Sequence, residues 1–328
     1  MNDVVVVTGG AGFIGSCAVD RLLERGDVRV IVLDNFSTGK RSNLKQWEGH
    51  SHLTIVETDV ARDFETPLLP LVQSLGPVSR IIHLAAQTSV THSLNSPLEN
   101  MEVNYGATLR VMEYARQHKV RKVVFASSAA VYGDTERVPV QESFHCHPLS
   151  PYGLHKLVSE QCMRCYAAVH GVPSTAFRFF NVYGPRQDPK SPYSGVISIF
   201  IAKALAGETL TIFGDGKQTR DFVFVSDIAD ALLKACFNDQ NNGFEVMNLG
   251  TGVEVSVTDL AHMILDEAQA SKSDLAYADA RAGEILRSCA DIERAQNLLA
   301  YHPKVKLRAG LADTMQWYRD EGESIDAP

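Results

Sequence analysis

The first half of the chain contains short, continuous runs of β-branched and other apolar residues. These runs span residues 4–7, 29–33, 53–56, 80–84 and 123–126. A strand buried on both faces of a parallel sheet has this continuous pattern, whereas a half-exposed strand alternates. Helical spacing of apolar residues follows at 13–25 and 100–117. Strands that alternate with helices predict an α/β fold with a doubly wound parallel sheet.

The second half is more loop-like. It predicts helices over 196–206, 225–237, 257–268 and 292–299, and short strands over 210–213, 219–225 and 244–249. A segment rich in proline and polar residues at 185–195 is typical of a lid or a substrate-binding loop. We expect residues 1–180 to form one domain, which about 222–250 rejoins, and residues 181–328 to form a smaller α/β domain.

A glycine-rich loop follows the first predicted strand. Residues 8–15 read Thr-Gly-Gly-Ala-Gly-Phe-Ile-Gly, and the helix after them ends at Gly26. Such glycines permit a tight turn and close approach of a pyrophosphate, which the helix N-terminus attracts. Asp34 ends the next strand, where a carboxylate binds the adenosine ribose and repels a 2′-phosphate. The pattern predicts a Rossmann site for NAD, and Lys40 and Arg41 leave NADP as an alternative.

Other candidate residues follow the later strands, because ligands of such sheets bind at the carboxyl ends of the strands. Asp59 is a candidate adenine contact, and the small residues at 85–86 would let the backbone pass close to a cofactor. We expect His83 to be a hydrogen-bonded core residue. Asn104 could contact a ligand or bond the neighbouring strand loop.

A candidate acid/base pair begins the helix after Ser150 and Pro151, which are a favourable N-cap and first residue. Tyr152 and Lys156 are four residues apart and share one helical face. A nearby ammonium lowers the pKa of a phenol, so the pair could exchange protons near neutral pH. Ser128 ends a predicted strand, and we expect it to meet this pair over the nicotinamide.

Composition narrows the classes of partner. The 328 residues carry 31 Lys and Arg against 39 Asp and Glu, a net charge of −8, which argues against nucleic acid and anionic membranes. No apolar run approaches the roughly 18 residues of a membrane span, and no signal peptide is recognisable. Cys162 and Cys165 are expected to be ordinary helix residues, with no metal site, and six cysteines fit reduced thiols in the cytoplasm.

Together these motifs resemble the extended short-chain dehydrogenase/reductase family. The matching segments are 8–15, 34–35, 127–133, 152–156 and 178–184. Within this family the chain is most similar to the 4-epimerases of UDP-glucose and UDP-N-acetylglucosamine. The resemblance implies an isomerase that keeps NAD bound, a UDP-sugar substrate, and a homodimer formed through helices 100–117 and 152–169.

The resemblance also implies site residues. Ser128, Tyr152 and Lys156 would be catalytic. The expected NAD contacts are Gly9, Gly12, Phe13, Ile14, Gly15, Asp34, Asn35, Ser37, Thr38, Gly39, Asp59, Val60, Leu84, Ala85, Ala86, Gln87, Asn104, Tyr152, Lys156 and Phe179. The expected substrate contacts are Ser128, Tyr152, Asn181, Val196, Ile197, Thr211, Phe213, Arg220, Arg281, Glu284 and Ser288.

In this family pattern, Asn181, the start of helix 196–206 and the two arginines at 220 and 281 hold the diphosphate, for which guanidinium groups are well suited. Phe213 packs on the uracil, and Glu284 binds ribose hydroxyls. Related dehydratases carry an Asp-Glu pair, and related decarboxylases a glutamate, where this chain has Ala129 and Ala130. GDP-sugar reductases lack the Asp34 pattern. Among the reactions of these related enzymes, the resemblance therefore leaves C4 epimerisation through a 4-keto sugar.

One sequence position indicates which sugar the substrate carries. The family residue that matches Ser288 borders the C2 substituent, and it tends to be small in enzymes that accept N-acetyl sugars. We therefore expect UDP-N-acetylglucosamine to be converted to UDP-N-acetylgalactosamine, with possible UDP-glucose/UDP-galactose activity. A strict UDP-glucose 4-epimerase, a UDP-glucuronate 4-epimerase and, more remotely, a non-catalytic NAD-sensing protein are the alternatives.

Overall fold

The computed structural model of the chain describes residues 3–135, 137–188, 195–240, 243–269, 274–280 and 285–325. The strands are β1 (Asp3–Thr8), β2 (Val28–Asp34), β3 (Leu53–Glu57), β4 (Val78–His83), β5 (Lys122–Ser128), β6 (Ser174–Phe179), β7 (Asn181–Tyr183), β8 (Leu210–Phe213), β9 (Thr219–Arg220), β10 (Phe222–Phe224), β11 (Phe244–Leu249), β12 (Val255–Ser256) and β13 (Leu275–Ala278).

The α-helices are α1 (Phe13–Arg25), α2 (Glu65–Leu75), α3 (Val90–Asn95), α4 (Pro97–Met101), α5 (Ala107–Gln117), α6 (Pro151–His170), α7 (Val196–Leu205), α8 (Val225–Cys236), α9 (Val257–Ala268), α10 (Glu293–Leu299) and α11 (Leu307–Ile325). Short 3₁₀ turns cover Arg41–Trp47 and Ala129–Val131, and a π-helical turn, Glu102–Gly106, joins α4 to α5. Among the described helices, none has the length and apolar character that a membrane span requires.

The centre of the fold is a seven-stranded sheet in the order β3-β2-β1-β4-β5-β6-β11. Every pairing in it is parallel. The predicted α/β fold with a doubly wound sheet is therefore confirmed. The strand order reverses between β1 and β4, and a sheet of this kind binds ligands outside the carboxyl ends of its strands at such a reversal.

Helices cover both faces of this sheet. Val5 and Val7 pack into a core with α1 and α8, whereas Val4 and Val6 pack into a second core with α2, α5 and α6. Because successive side chains of a strand point to opposite faces, both sets are buried. Burial on the two faces explains the continuous apolar runs in the sequence.

The remaining elements build a smaller α/β region. Parallel strands β8 and β13 pack with α7, α9 and α11 around a separate core that contains Ile201, Ile212, Leu260 and Met315. Between these elements the chain returns to the large sheet, where α8 packs on α1 and β11 pairs with β6. The exact domain boundaries, at 180 and 181, stay a prediction.

The structure differs from the sequence-based elements in three ways. The helix expected over 100–117 begins at Pro97 and contains the π-helical turn. The strand expected over 219–225 is divided at Asp221, whose buried carboxylate accepts hydrogen bonds from the amides of Thr251 (2.7 Å) and Gly252 (2.9 Å). Helices α2, α3 and α11 and strands β6, β7, β12 and β13 were not predicted. Helix α2 contains Pro70, a residue that ordinarily argues against a helix.

Candidate active site

A cavity of about 380 Å³ lies at the carboxyl ends of β1, β2, β4 and β5, beside the reversal of strand order. This size falls within the range of small-molecule sites, roughly 300–1,000 Å³. The structure brings most of the predicted cofactor and catalytic residues together in its wall. They are Gly9, Gly12, Phe13, Ile14, Gly15, Asp34, Asn35, Ser37, Thr38, Gly39, Asp59, Val60, Leu84, Ala85, Ala86, Ser128, Tyr152, Lys156 and Phe179.

Several lining residues were not predicted. They are Leu33, Thr58, Ala61, Thr88, Val103, Ala107, Ala126, Ser127, Phe180, Val182 and Gln187. Most are chain neighbours of predicted residues and could have been found from that adjacency. Gln187 lies in the 185–195 segment predicted to be a lid or a substrate-binding loop, but its contact with this cavity was not predicted, because it depends on the path of the chain after β7.

Two expected cofactor contacts lie elsewhere. Gln87 lines an adjoining groove rather than this cavity. The buried Asn104 side chain accepts a hydrogen bond from the Gln87 amide (2.9 Å) and donates one to the Gln87 carbonyl (2.9 Å). The Asn104 side chain thus holds the loop after β4, which is the alternative role expected from the sequence, and its contact with NAD stays a prediction.

The glycine loop has the shape of a phosphate cradle. Gly9 has φ +67°, and a Cβ there would lie 2.7 Å from the Ala85 nitrogen. A Cβ on Gly15 would lie 2.0 Å from the Gly9 carbonyl oxygen. No side chain of the described residues caps the first turn of α1, and that turn contains no acidic residue. Its amides and the positive end of its dipole therefore suit the diphosphate of a dinucleotide.

Asp34 sits at the other end of the cradle. Its carboxylate accepts hydrogen bonds from the amides of Ala11 (2.9 Å) and Phe36 (2.8 Å) and also lines the cavity. A Cβ on Gly39 would lie 2.9 Å from both carboxylate oxygens, so the loop packs directly against the acid. The acid has spare acceptor capacity for ribose hydroxyls and would repel a 2′-phosphate. The residues present therefore fit NAD.

Lys40 and Arg41, the two cations that kept NADP as an alternative cofactor, are both paired with carboxylates. Arg41 Nη2 lies 2.9 Å from Glu57 Oε2, and Lys40 Nζ lies 2.8 Å from Asp188 Oδ2. Neither charge is therefore available without breaking an ion pair. This arrangement favours NAD over NADP.

Ser128, Tyr152 and Lys156 line the cavity together, as expected from the sequence, and the position of the nicotinamide beside them stays a prediction. The Ser150 hydroxyl accepts a hydrogen bond from the Gly153 amide (3.2 Å) and starts α6. Lys156 Nζ donates to the Ala126 carbonyl (2.8 Å) and lies 5.8 Å from the centre of the Tyr152 ring. Ser128 hydrogen-bonds with Tyr152. A hydroxyl, a phenol and an amine therefore share one end of the cavity.

The electrostatics of this group differ from the expectation. Burial raises the pKa of the Tyr152 phenol, and the hydrogen bond with Ser128 opposes this effect only in part. Burial also lowers the pKa of Lys156 to about 7, although the negative charge of Glu160 acts to raise it. In the protein without its cofactor, burial therefore raises the pKa of Tyr152, the opposite direction to the one expected from the neighbouring Lys156.

A buried acid supports the catalytic end from behind. Glu160 accepts hydrogen bonds from Arg178 Nε (3.0 Å) and Nη2 (2.7 Å) and from the Ser127 hydroxyl (2.5 Å). It lies one turn after Lys156 on α6 and next to the end of β5. The acid therefore links the helix that carries Tyr152 to the strand that carries Ser128.

The other candidate titrating group is structural. The ring nitrogens of His83 lie 2.7 Å from the Thr8 hydroxyl and 3.3 Å from the Thr108 hydroxyl, and burial lowers the pKa of this histidine to about 3. This is the core role that the sequence indicates. Cys162 and Cys165 are free thiols, and the described residues contain no group of side chains that could hold a metal ion.

The expected substrate residues, apart from Ser128 and Tyr152, lie in the smaller region or at its junction with the large sheet. Asn181 is in β7, Val196 and Ile197 begin α7, Thr211 and Phe213 are in β8, and Arg220 is in β9. None of these six lines the cavity described above. Arg281 and Glu284 lie outside the described residues, as does the 189–194 part of the predicted 185–195 loop.

Arg220 and Ser288 belong to one connected surface. Arg220 Nη1 donates to the carbonyls of Thr219 and Ile285, each at 2.8 Å. The Thr219 amide donates to the Leu286 carbonyl (2.9 Å), so the segment that carries the half-buried Ser288 runs beside β9.

Comparison with known proteins shows extensive similarity. The chain matches the model of the NAD dependent epimerase/dehydratase family over residues 5–250. It is 39% identical over 323 residues to a putative UDP-glucose 4-epimerase of Methanocaldococcus jannaschii, with 98% of this chain and 100% of that protein covered.

Two solved structures have similar folds. One is a UDP-N-acetylglucosamine 4-epimerase from Methanobrevibacter ruminantium M1 in complex with UDP-N-acetylmuramic acid (TM-score 0.89, 35% identity, 98% of this chain and 100% of that chain). The other is a UDP-glucuronic acid 4-epimerase from Bacillus cereus in complex with UDP-glucuronic acid and NAD (TM-score 0.88, 30% identity, 97% and 99%).

Proposed function

The chain belongs to the NAD dependent epimerase/dehydratase family, and from that premise we propose that it is an NAD-dependent UDP-sugar 4-epimerase acting on UDP-N-acetylglucosamine. One observation carries the proposal. The cavity wall joins the glycine loop and Asp34 at one end to Ser128, Tyr152 and Lys156 at the other. An acid/base group is thus placed where a cofactor held by the glycine loop would present its reactive end.

When bound, NAD takes up the C4 hydride of the sugar and returns it to the opposite face. The residues of the chain handle the proton: Tyr152 removes it from the 4-hydroxyl, directly or through Ser128, and later returns it. The charge of Lys156 and the hydrogen bond from Ser128 stabilise the phenolate that this transfer requires. No net redox change occurs, so the cofactor has to stay bound through the cycle.

The sugar ring also has to turn between the two hydride transfers. We propose that Asn181, the start of α7 and Arg220 hold the diphosphate while the 4-keto sugar rotates. The positions after Ser128 are occupied by Ala129 and Ala130, which provide no acid for elimination of water. Epimerisation is therefore favoured over dehydration.

The preference for an N-acetyl sugar rests on Ser288. Its side chain is small and half-buried, and it lies on the segment beside Arg220. A small residue leaves room for an acetamido group at C2. Relatives act on UDP-glucose and UDP-glucuronic acid as well, so a strict UDP-glucose 4-epimerase and a UDP-glucuronate 4-epimerase are the alternatives. The complete Ser128, Tyr152 and Lys156 set argues against a non-catalytic NAD sensor.

The proposal is tested by incubating the purified protein, without added NAD, with each of the three UDP-sugars and following the C4 epimers by proton NMR. We expect conversion of UDP-N-acetylglucosamine. The variant Ser288→Tyr should lose about 10- to 100-fold in kcat/KM for this substrate while retaining UDP-glucose conversion, because the larger ring fills the C2 pocket. An unchanged substrate preference in Ser288→Tyr, with Ser288→Ala as the control, would contradict the specificity argument.

We also propose that the protein is a homodimer. Large apolar side chains are exposed on the adjacent helices α4, α5 and α6, including Leu98 (73% exposed), Met101, Leu109, Leu154 and Val169 (67%). Exposed large apolar side chains grouped on packed helices favour association. Sedimentation analysis should show a dimer for the native chain and a monomer for Leu98→Lys/Leu154→Lys. A native monomer at micromolar concentration, or an intact dimer of the double variant, would refute this interface.

A further inference from the structure

Residues 184–188, the crossing segment, follow β7, and Gln187 of this segment lines the cofactor cavity. Val182 and Gln187 line the cavity from this side, and the 37–39 loop lines it from the side of Asp34. The next residue along each segment carries a charge, and Lys40 Nζ lies 2.8 Å from Asp188 Oδ2. This ion pair joins two segments of chain that border the same cavity.

A second ion pair fastens the same segment to α1. Arg186 Nη1 lies 2.8 Å from Asp20 Oδ2, and the two side chains are 18% and 16% exposed. Asp20 Oδ1 also accepts hydrogen bonds from Trp47 Nε1 (2.8 Å) and Gln46 Nε2 (2.6 Å). One carboxylate, that of Asp20, therefore joins three parts of the chain. They are helix α1, the 3₁₀ turn Arg41–Trp47 and the crossing segment.

The crossing segment is also held from its outer side. The Tyr318 hydroxyl donates to the Gln187 carbonyl (2.5 Å), and the Ser198 hydroxyl donates to Gln187 Oε1 (2.6 Å). Arg186 adopts φ +70°, a left-handed conformation that a non-glycine residue keeps only where its surroundings enforce it. The segment is thus held beside the cavity by contacts with α1, α7 and α11.

We propose that residues 184–188 form a clasp over the cofactor cavity, closed by the Lys40–Asp188 and Arg186–Asp20 ion pairs, which slows the release of NAD. The inference rests on the proposed function, since it requires NAD in this cavity. An epimerase needs such retention because a cofactor lost between the two hydride transfers would leave a keto sugar that the enzyme could no longer reduce. The clasp acts on cofactor release, whereas Ser128, Tyr152 and Lys156 act on the reacting sugar.

The two ion pairs should contribute unequally. Lys40 and Asp188 are 54% and 34% exposed, so solvent screens their attraction, and the loss of this pair should raise the NAD dissociation rate by about two- to five-fold. The pair at Arg186 is better shielded, and its loss should raise the rate by about tenfold. Because both pairs hold one segment, the double variant should release NAD at least about 20-fold faster than the native protein.

The test measures NAD release directly. Native protein, Lys40→Met, Arg186→Met and the double variant are loaded with NAD and diluted into buffer, and NAD in the filtrate is quantified over time. Lys304→Met is the matched control, since Lys304 Nζ forms a similar pair with Asp230 Oδ2 (3.1 Å) away from the cavity. Circular dichroism and a melting curve establish that each variant is folded.

We expect the order of release rates to be double variant, Arg186→Met, Lys40→Met, then native protein and Lys304→Met together. The charge-exchanged variant Lys40→Asp/Asp188→Lys should return to within about twofold of the native rate. If the double variant releases NAD at the rate of Lys304→Met, the clasp is refuted while the proposed function stands. If the native protein binds no NAD at all, the proposed function itself fails.

Discussion

Replacing Lys156 with methionine should stabilise the folded protein in mild acid while abolishing epimerisation. Lys156 is buried, and burial lowers its pKa to about 7. In the unfolded chain its pKa returns to about 10.4. Below about pH 7 Lys156 is protonated in both states, so the folded protein bears the full cost of a buried charge. Between the two pKa values Lys156 is protonated only in the unfolded chain, and the stability of the folded protein therefore rises with pH.

The magnitude follows from the difference between the two pKa values. At about pH 6 the buried charge costs the folded protein on the order of 5 kcal/mol, and at about pH 9.5 it costs about 1 kcal/mol. Methionine removes this cost but leaves the Ala126 carbonyl without its 2.8 Å hydrogen bond, a loss of about 1–3 kcal/mol. Lys156→Met should therefore be more stable than the native protein by about 2–4 kcal/mol near pH 6, and equal or less stable near pH 9.5.

The assay is guanidinium unfolding of both proteins at the two pH values, after bound NAD has been removed from each, because Lys156 lines the cofactor cavity and NAD would stabilise the two proteins unequally. Lys304→Met is the control, because the Lys304 side chain is 72% exposed and its removal should give the same small change at both pH values. Burial keeps the pKa of His83 at about 3, so this neighbour does not titrate in the range. A Lys156→Met variant that is less stable near pH 6, or whose effect does not change with pH, would refute the reasoning.

Three further outcomes are expected. Tyr152→Phe should lose at least about 10²-fold in kcat yet keep its NAD absorbance, and a fully active variant would contradict the assignment of the base. Glu160→Gln should lose about 3–5 kcal/mol in denaturant unfolding, because the buried Arg178 guanidinium loses its charged partner; a neutral effect would contradict that pairing. Gly15→Ala should abolish NAD binding in a titration, since its Cβ would lie 2.0 Å from the Gly9 carbonyl, and normal affinity would show that the loop can relax.

Most strands of the central sheet could be predicted because their information is local, although β6 was not. Strands such as β1 and β5 are covered by helices on both faces, so their sequences are continuous apolar runs whatever the rest of the chain does. The glycine loop and Asp34 could also be predicted from their spacing, because the cradle is formed by residues close together in the sequence. In contrast, Pro70 obscured α2, and the division of the predicted strand at Asp221 depends on a loop thirty residues away.

The electrostatics of the site could not be predicted in the same way. The sequence places Lys156 one turn from Tyr152, which indicates a lowered phenol pKa. How deeply both groups are buried depends on the packing of α6 against the sheet, and this burial raises the pKa of Tyr152 instead. Gln187 was missed for a related reason, because only the folded path of residues 184–188 brings it to the cavity.

The most direct test of C4 epimerisation uses UDP-N-acetylglucosamine deuterated at C4. The purified protein, with the NAD it carries, converts the labelled sugar, and NMR locates the deuterium in the product. A hydride that leaves C4 and returns within one active site predicts an epimer that retains the deuterium at C4. Loss of the deuterium to water would contradict hydride transfer, and a complete lack of epimer with all three UDP-sugars, even with NAD added, would contradict the proposed function.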